Sequence, residues 1–246
     1  MSVGEDSSGK AGRRGRSWRD IDLRAVAPFA ALVLLLIVGA LVNPNFIGIT
    51  NLTNVATRCA FIAIIAVGAT FVISAGDLDL SVGAMVAFVA SLMILFMNSG
   101  VIADPTMMLA AAVLFSIIAG ILCGLANGLI TTMGKIEPFI ATLGTMGVYR
   151  GLTTWLSQGG AITLRPADIQ ALYKPAYYGS VLGVPVPIVV ILVVTCIAAF
   201  ILYRTRYGRH VIAVGSNRDV ARYSGVAVNG VRTIAFVIQG FCGAIA

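Results

Sequence analysis

Charged residues are scarce in this sequence of 246 residues. Only 11% of the residues are Asp, Glu, Lys or Arg, whereas 59% are apolar and the mean hydropathy is +0.96. A water-soluble globular domain carries charge on about a quarter of its residues. This chain has too little polar side chain to cover a folded surface of its size. The shortage excludes a soluble protein and indicates one whose solvent is the lipid bilayer.

Motifs for chemistry are missing as well. The four cysteines occur singly in apolar segments, which excludes a disulfide framework and a zinc site. Five residues separate Gly128 from Gly134, where a phosphate loop has four, and Ile136 stands where that loop needs Ser or Thr. Metalloprotease and hydrolase signatures are absent. We therefore predict no cofactor, no metal, no catalytic residue and no ATP hydrolysis by this chain.

Long stretches without charge alternate with short charged segments. Each stretch can hold the roughly 17–25 apolar residues that a helix needs to cross a bilayer. Six spans are predicted, at residues 25–43, 58–75, 82–99, 107–130, 138–157 and 184–203. Only the fifth carries a charge in its middle, at Arg150. After Arg232 the chain turns apolar again and stops at Ala246, which predicts part of a seventh span. The fold class is therefore all-α, a polytopic transmembrane helical bundle.

Basic residues cluster in two places. One is the tail 1–23, whose Gly, Ser and charge content predicts disorder, and the other is the segment 204–232. Short loops rich in Lys and Arg stay cytoplasmic, and an even number of crossings separates these two segments. Both are therefore predicted to be cytoplasmic. The net charge of +7 then belongs to the cytoplasmic membrane surface, and no nucleic-acid partner is needed to explain it.

Small residues repeat on two spans. Gly120, Gly124 and Gly128 recur every four residues, and Gly147 and Gly151 do the same on the next span. Such stripes allow two helix backbones to approach closely. The contact is either within one chain or a seam between two copies.

A polar stripe runs along the span that begins near residue 138. Thr142, Thr145 and Tyr149 recur at helical spacing, with Arg150 beside them. Polar and charged groups at membrane depth face protein or water, because lipid does not solvate them. We expect the stripe to face the interior of the bundle, where it either lines a solute pathway or bonds a neighbouring helix.

Two acids, Asp77 and Asp79, interrupt the apolar sequence between the second and third spans. Ser81 or Asp79 can cap the helix that begins near Val82, where a negative charge also complements the helix dipole. The alternative is direct contact between these acids and a solute.

The cytoplasmic segment contains a pattern typical of a short helix. Ser216 followed by Asp219 has the capping-box arrangement, and Gly225 suits a left-handed stop. We predict a surface helix over about 217–224, which is either a docking element or a connector without a partner.

Longer strings carry a family resemblance. They are GDLDLSVG at 76–83, GLANG at 124–128, PFIATLGTM at 138–146, YRGL at 149–152, RTRYGR at 204–209, AVGSN at 213–217 and ARYSGV at 221–226. From about Asn45 to Ala246, and in this order, they resemble the permease subunits of bacterial ABC importers for ribose, xylose, arabinose and related monosaccharides.

The resemblance implies a type II ABC-importer-like permease of about ten spans in the bacterial inner membrane, with a sugar as solute. It implies a transport subunit rather than an enzyme. It also implies a second permease subunit in a homodimer, cytoplasmic ATP-binding subunits and a periplasmic or lipid-anchored sugar-binding protein. The alternative is an ion-coupled secondary transporter, which needs a titrating carboxylate near the membrane midplane. Asp77 and Asp79 are the only candidates for that role.

The resemblance also assigns residues, within a permease domain 24–246. The loop 204–232 becomes the contact to the ATPase. The coupling residues are then Ser216, Asn217, Arg218, Asp219, Ala221, Arg222 and Gly225. The candidate pathway residues are Asp77, Asp79, Asn127, Thr142, Thr145, Tyr149 and Arg150. The chain departs from the family at Leu78, where isoleucine is usual, and in its end at Ala246, which indicates a fragment or a truncated product.

Overall fold

The computed structural model describes residues 23–246, and these residues are almost entirely helical. The all-α class is confirmed. The tail predicted to be disordered lies outside the described residues, apart from Leu23. The internal contacts divide the chain after Leu52 into two units, which are described separately.

The first unit contains helix α1 (Leu23–Val42), a short 3-10 helix (Pro44–Ile47) and the start of α2 at Ile49. Asn43 caps the 3-10 helix, because its side-chain oxygen accepts a hydrogen bond from the Asn45 N–H at 3.0 Å. The ring of Phe46 lies against Gly39 of α1, in the space that a larger side chain would fill.

The second unit is a bundle of long apolar helices with shorter helices at its ends. Its elements are α2 (Ile49–Ser74), α3 (Val82–Asn98), α4 (Pro105–Thr132), α5 (Pro138–Ser157), α6 (Ala167–Tyr178), β1 (Ser180–Val181), β2 (Val184–Pro185), α7 (Val186–Arg204), α8 (Arg206–Ser216), α9 (Arg218–Tyr223) and α10 (Val228–Ile245). The two strands form a small antiparallel hairpin.

Each predicted span overlaps a helix, although α2 begins at Ile49, before the predicted start at residue 58. By length and composition α2, α4, α7 and α10 are sufficient to cross a membrane, and shorter apolar helices lie at Ala27–Val42 and Val82–Asn98. α5 has 20 residues and is more polar. One correction concerns the seventh segment: α10 begins at Val228, not after Arg232, and its 18 residues are long enough to cross. The charge of Arg232 does not delay this helix because it is paired with a buried carboxylate.

Helices α4 and α10 pack backbone to backbone. A Cβ added at Gly124 would collide with the Phe236 carbonyl, and one added at Gly240 would collide with the Gly120 carbonyl. The stripe at 120–128 therefore makes a contact within one chain. The second stripe differs: among the described residues nothing lies within 4 Å of a Cβ built at Gly147 or Gly151.

Side-chain contacts identify the two ends of this bundle. At one end the Thr132 and Thr233 hydroxyls are 3.0 Å apart, which joins the end of α4 to the start of α10. At the other end the Asn98 amide donates to the Thr163 carbonyl and accepts from the Arg165 N–H, each at 2.9 Å. These contacts agree with the predicted alternation of the spans. The sequence analysis did not predict α6 or the hairpin in the segment after α5.

Candidate functional site

The break between α2 and α3 is shaped by a helix-ending turn. Gly76 has φ +77°, a left-handed conformation that glycine adopts without strain. Its N–H donates to the Ile73 carbonyl, and the Asp77 N–H donates to the Val72 carbonyl at 3.0 Å. This pair of bonds is a Schellman motif, which ends α2 and fixes the position of the next residue. The turn therefore determines where Asp77 lies.

Asp77 is the centre of a buried charge cluster. Only 1% of its side chain is exposed, yet its carboxylate accepts three charge-assisted hydrogen bonds. Arg218 Nη2 lies 2.6 Å from Oδ1, and Arg232 contributes Nε at 2.7 Å from Oδ2 and Nη2 at 2.9 Å from Oδ1. The cluster joins the break to α9 and to α10, which follow it by more than 140 residues.

A second polar network begins two residues further on. One oxygen of Asp79 accepts from the Ser81 N–H at 2.7 Å and from its hydroxyl at 2.6 Å. The Asn127 amide donates to the Ser81 hydroxyl at 2.7 Å and to the other Asp79 oxygen at 3.3 Å. Tyr149 completes the network, with its hydroxyl 3.4 Å from Asn127 Oδ1. The start of α3 is thus tied to α4 and α5.

The environment of Asp79 differs from that of Asp77. Burial raises the pKa of the Asp79 carboxyl above its usual value, and the hydrogen bonds from Ser81 oppose that shift. No ion pair joins Asp79 to a cation within residues 23–246. The predicted cap is therefore partly corrected: Asp79 bonds the backbone at the start of α3, whereas the Ser81 side chain makes no capping bond.

The candidate pathway residues fall into separate groups. Asp79, Asn127 and Tyr149 share the network just described. Thr142 lies beside it and is fully buried, with its hydroxyl accepting from the Leu80 N–H at 3.2 Å. The Thr145 hydroxyl donates to the carbonyl of Thr142. The two outliers are Asp77, which belongs to the charge cluster, and Arg150, which is exposed on α5. Contact of any of them with a solute stays a prediction.

The segment 204–232, predicted to be cytoplasmic, contains two helices after α7 rather than one. The first, α8, packs its buried Val211 and Val214 against Phe71 and Phe236, which lie on α2 and α10. The Tyr207 hydroxyl donates to the Val231 carbonyl at 3.1 Å, and burial raises the pKa of this phenol. The capping pattern did not predict α8. Because α8 packs against the core, it fixes where α9 begins.

The cap of α9 corrects the sequence prediction. Asn217, not Ser216, is the N-cap: its side-chain oxygen accepts from the N–H groups of Asp219 and Val220, each at 3.0 Å. Ser216 is the last residue of α8, and its hydroxyl donates to the Ile212 carbonyl four residues earlier. An N-cap needs an extended backbone, which Asn217 has with φ −161° and ψ 111°. The predicted stop is confirmed, because Gly225 has φ +82°.

α9 presents a mixed polar and apolar face. Ala221 is buried against the core, whereas Val220 is 60% exposed and Tyr223 is 89% exposed. The side chains of Arg222 and Asp219 are exposed and lie 3.7 Å apart, a pair that contributes little to stability. Arg218 points inward to Asp77 instead. Arg218 and Arg222, four residues apart on this helix, therefore have different surroundings.

Arg232 is the residue of this site that the sequence analysis assigned only to a basic cluster. A signal was available, since a cation within an apolar helix needs a buried acid as partner. Asp77 and Asp79 are two such acids, since both lie between the second and third spans. Within the described residues, no group of three or more His, Cys, Asp or Glu could hold a metal ion.

Residues 51–246 match the family described as branched-chain amino acid transport system / permease component. The chain is similar to the ribose import permease protein of Haemophilus influenzae, with 36% identity over 218 residues, which are 89% of this chain and 66% of that protein. The same permease of Bacillus subtilis is 36% identical over 224 residues, 91% of this chain and 67% of that protein. The D-allose transport system permease protein of Escherichia coli is 31% identical over 218 residues, 89% and 64% respectively. No solved structure matches the chain.

The chain spans about two thirds of the length of these curated relatives. The family match includes the charge cluster at Asp77, the network at Asp79 and both short helices of the segment 204–232. The polytopic helical architecture agrees with a permease. The chain belongs to the family of branched-chain amino acid transport system permease components.

Proposed function

We propose that this chain is the membrane-spanning permease subunit of an ATP-driven ABC importer, and that it moves a sugar across the bacterial inner membrane. The names of the similar proteins favour a monosaccharide such as ribose or allose over an amino acid. The chain performs no chemistry. It alternates between two states of access, and a partner supplies the energy that separates them.

One observation carries this proposal: α9 is a short helix whose inner face packs against the core and whose outer face is exposed. Asn217 caps this helix, Gly225 ends it, and the buried Ala221 packs it against the core. Its outer face nevertheless exposes an aromatic ring at Tyr223 and a cation at Arg222. Exposed aromatic and arginine side chains are common where proteins dock. A cytoplasmic ATP-binding subunit is the partner we propose for this face.

The proposed orientation follows from the basic segments. The N-terminus and the segment 204–232 are cytoplasmic, and a permease domain extends over residues 24–246. Asp77 contacts Arg218, which supports the same side for the break after α2. A second permease subunit, in a homodimer, and an external sugar-binding protein complete the assembly. The open space beside Gly147 and Gly151 on α5 supports a neighbour in that position.

The ion-coupled alternative has less support. It requires a carboxylate near the middle of a span. Within residues 23–246 no Asp or Glu lies inside any of the membrane-crossing helices, since Asp77 and Asp79 lie between α2 and α3. The names of two relatives are those of ribose import permeases.

The test is solute uptake by vesicles that contain this chain, its ATP-binding subunit and its binding protein, with ATP enclosed inside. We expect uptake of labelled ribose or allose that vanadate blocks and that survives collapse of the proton gradient. Uptake that stops with the gradient would refute the ATP-driven assignment, and uptake of leucine in place of sugar would refute the solute class.

Two matched variants test the docking face. Arg222→Glu reverses a charge on the exposed side of α9, whereas Arg165→Glu makes the same change at an exposed position between α5 and α6, outside the loop 204–232. We expect solute-stimulated ATP hydrolysis to fall severely in the first and to persist in the second. Equal stimulation in both would remove Arg222 from the interface.

A further inference from the structure

Asp77 has two arginine partners although a single guanidinium can satisfy a carboxylate. Arg218 and Arg232 both bond it, so this buried group carries one surplus positive charge. The two arginines come from different elements, one from α9 and one from α10. Their contacts with Asp77 also differ in number, exposure and geometry.

Arg232 holds the carboxylate with a forked contact. Its Nε and Nη2 bond the two oxygens of Asp77 separately, and only 10% of its side chain is exposed. Bidentate pairs of this kind are strong and geometrically specific. Removing one member of a buried pair leaves an uncompensated charge, which is strongly destabilising. This contact is therefore the stronger of the two that Asp77 makes.

Arg218 holds the same carboxylate with one nitrogen. Its Nη2 lies 2.6 Å from Asp77 Oδ1 and 2.7 Å from the Gly76 carbonyl, and 36% of its side chain is exposed. A polar cavity of about 340 Å³ borders both arginines, and Lys135, Glu137 and Arg222 also line it. Because its side chain is the more exposed of the two, the Arg218 guanidinium can move into this space without breaking a forked contact. If it leaves, Asp77 keeps Arg232, so the carboxylate is never orphaned.

We infer that the Arg218–Asp77 contact is a releasable link that transmits movement of α9 to the transmembrane helices, while Arg232 keeps Asp77 in place. This inference rests on the proposed function, because it takes α9 as the surface that the ATP-binding subunit moves. Asp77 lies two residues before Asp79, whose network bonds α3, α4 and α5. The link therefore acts on the loop that positions these helices. Arg218 and Asp77 are positioning residues and contact no solute.

The first test uses the chain alone, in detergent, and measures thermal unfolding. Double-mutant cycles combine Asp77→Asn with Arg218→Gln, and separately with Arg232→Gln. We expect both cycles to be non-additive, and Arg232→Gln alone to lower the Tm by more than Arg218→Gln alone. Additive effects of Asp77→Asn and Arg218→Gln would show that the link does not form, which would overturn the inference.

The second test measures the ratio of solute-stimulated to unstimulated ATP hydrolysis in the reconstituted complex. Lysine can replace the single contact of Arg218 but not the fork of Arg232. We therefore expect Arg218→Lys to keep most of the stimulation, and Arg218→Gln and Arg232→Lys to lose it. Arg165→Gln, at an exposed position between α5 and α6 and outside the loop 204–232, is the control and should keep it.

The outcomes separate the inference from the function on which it rests. Wild-type stimulation in Arg218→Gln, in a complex that Arg222→Glu uncouples, would overturn the link and leave the proposed function standing. No stimulation in the wild-type complex would overturn the proposed function, and the inference with it. Loss in Arg218→Gln with recovery in Arg218→Lys supports both.

Discussion

The cap of α9 offers a sharp test, because sequence pattern and structure assign it to adjacent residues. Asn217→Ala removes two hydrogen bonds, to the N–H groups of Asp219 and Val220. Loss of such a cap costs about 1 kcal/mol. Ser216→Ala removes only a bond from the serine hydroxyl to the preceding turn of α8, which changes stability by less than about 0.5 kcal/mol.

The assay is hydrogen exchange of the backbone amides in α9, followed by mass spectrometry of the purified chain. A loss of 1 kcal/mol corresponds to about a fivefold loss of protection in a locally opening segment. We expect that change for the segment that begins at Asp219 in Asn217→Ala, and almost none in Ser216→Ala. A larger loss of protection in Ser216→Ala would refute the assignment and restore the capping box read from the sequence.

Three further predictions concern the bundle. Gly240→Ala places a methyl group against the Gly120 carbonyl and should lower the free energy of unfolding by about 1–3 kcal/mol. Gly230→Ala, in the same helix but without such a collision, should raise it by up to about 1 kcal/mol. Thermal unfolding of the two variants gives the signs, and equal effects would contradict the close contact of α4 and α10. Tyr149→Phe keeps the ring stacked on Phe88 but loses the hydroxyl bonds to Cys123 and Asn127, so we expect a loss of about 1 kcal/mol in the same assay, and an unchanged midpoint would show that these bonds are not formed. Reporter fusions test the topology. We expect external signals at Asn98 and Ser180 and cytoplasmic signals at Gly134 and Asn217. A cytoplasmic signal at Ser180 would break the count of crossings.

Composition and charge spacing were enough to predict the helical fold and the position of each span. Lipid imposes a fixed length on a crossing helix, so gaps between charges measure the spans directly. The same method placed the start of α10 too late, because it treated Arg232 as a boundary. A charge that is paired inside the bundle need not end a helix, and pairing across 155 residues is invisible to local pattern.

The site could be predicted in part. Polar residues in or beside apolar segments pointed to Asp79, Thr142 and Tyr149, and the family resemblance added Asn127. The structure brings these residues together because each needs a hydrogen-bond partner away from water. The sequence could not tell which helix would supply that partner. The cap of α9 was missed for another reason: the pattern describes which residues can cap, whereas the end of α8 decides which one is free to do so.

The turn at Gly76 constrains the number of residues in α2 more strongly than it constrains the side chains of that helix. Asp77 follows the last turn of that helix directly, so inserting or deleting one residue within α2 would rotate the carboxylate by about 100° around the helix axis. Such a rotation would point it away from Arg232 and leave both charges unpaired. Apolar side chains along α2 can be replaced by other apolar side chains, whereas the number of residues in the helix cannot change. Related sequences should therefore align through α2 up to the glycine without gaps, and should place their insertions in other segments.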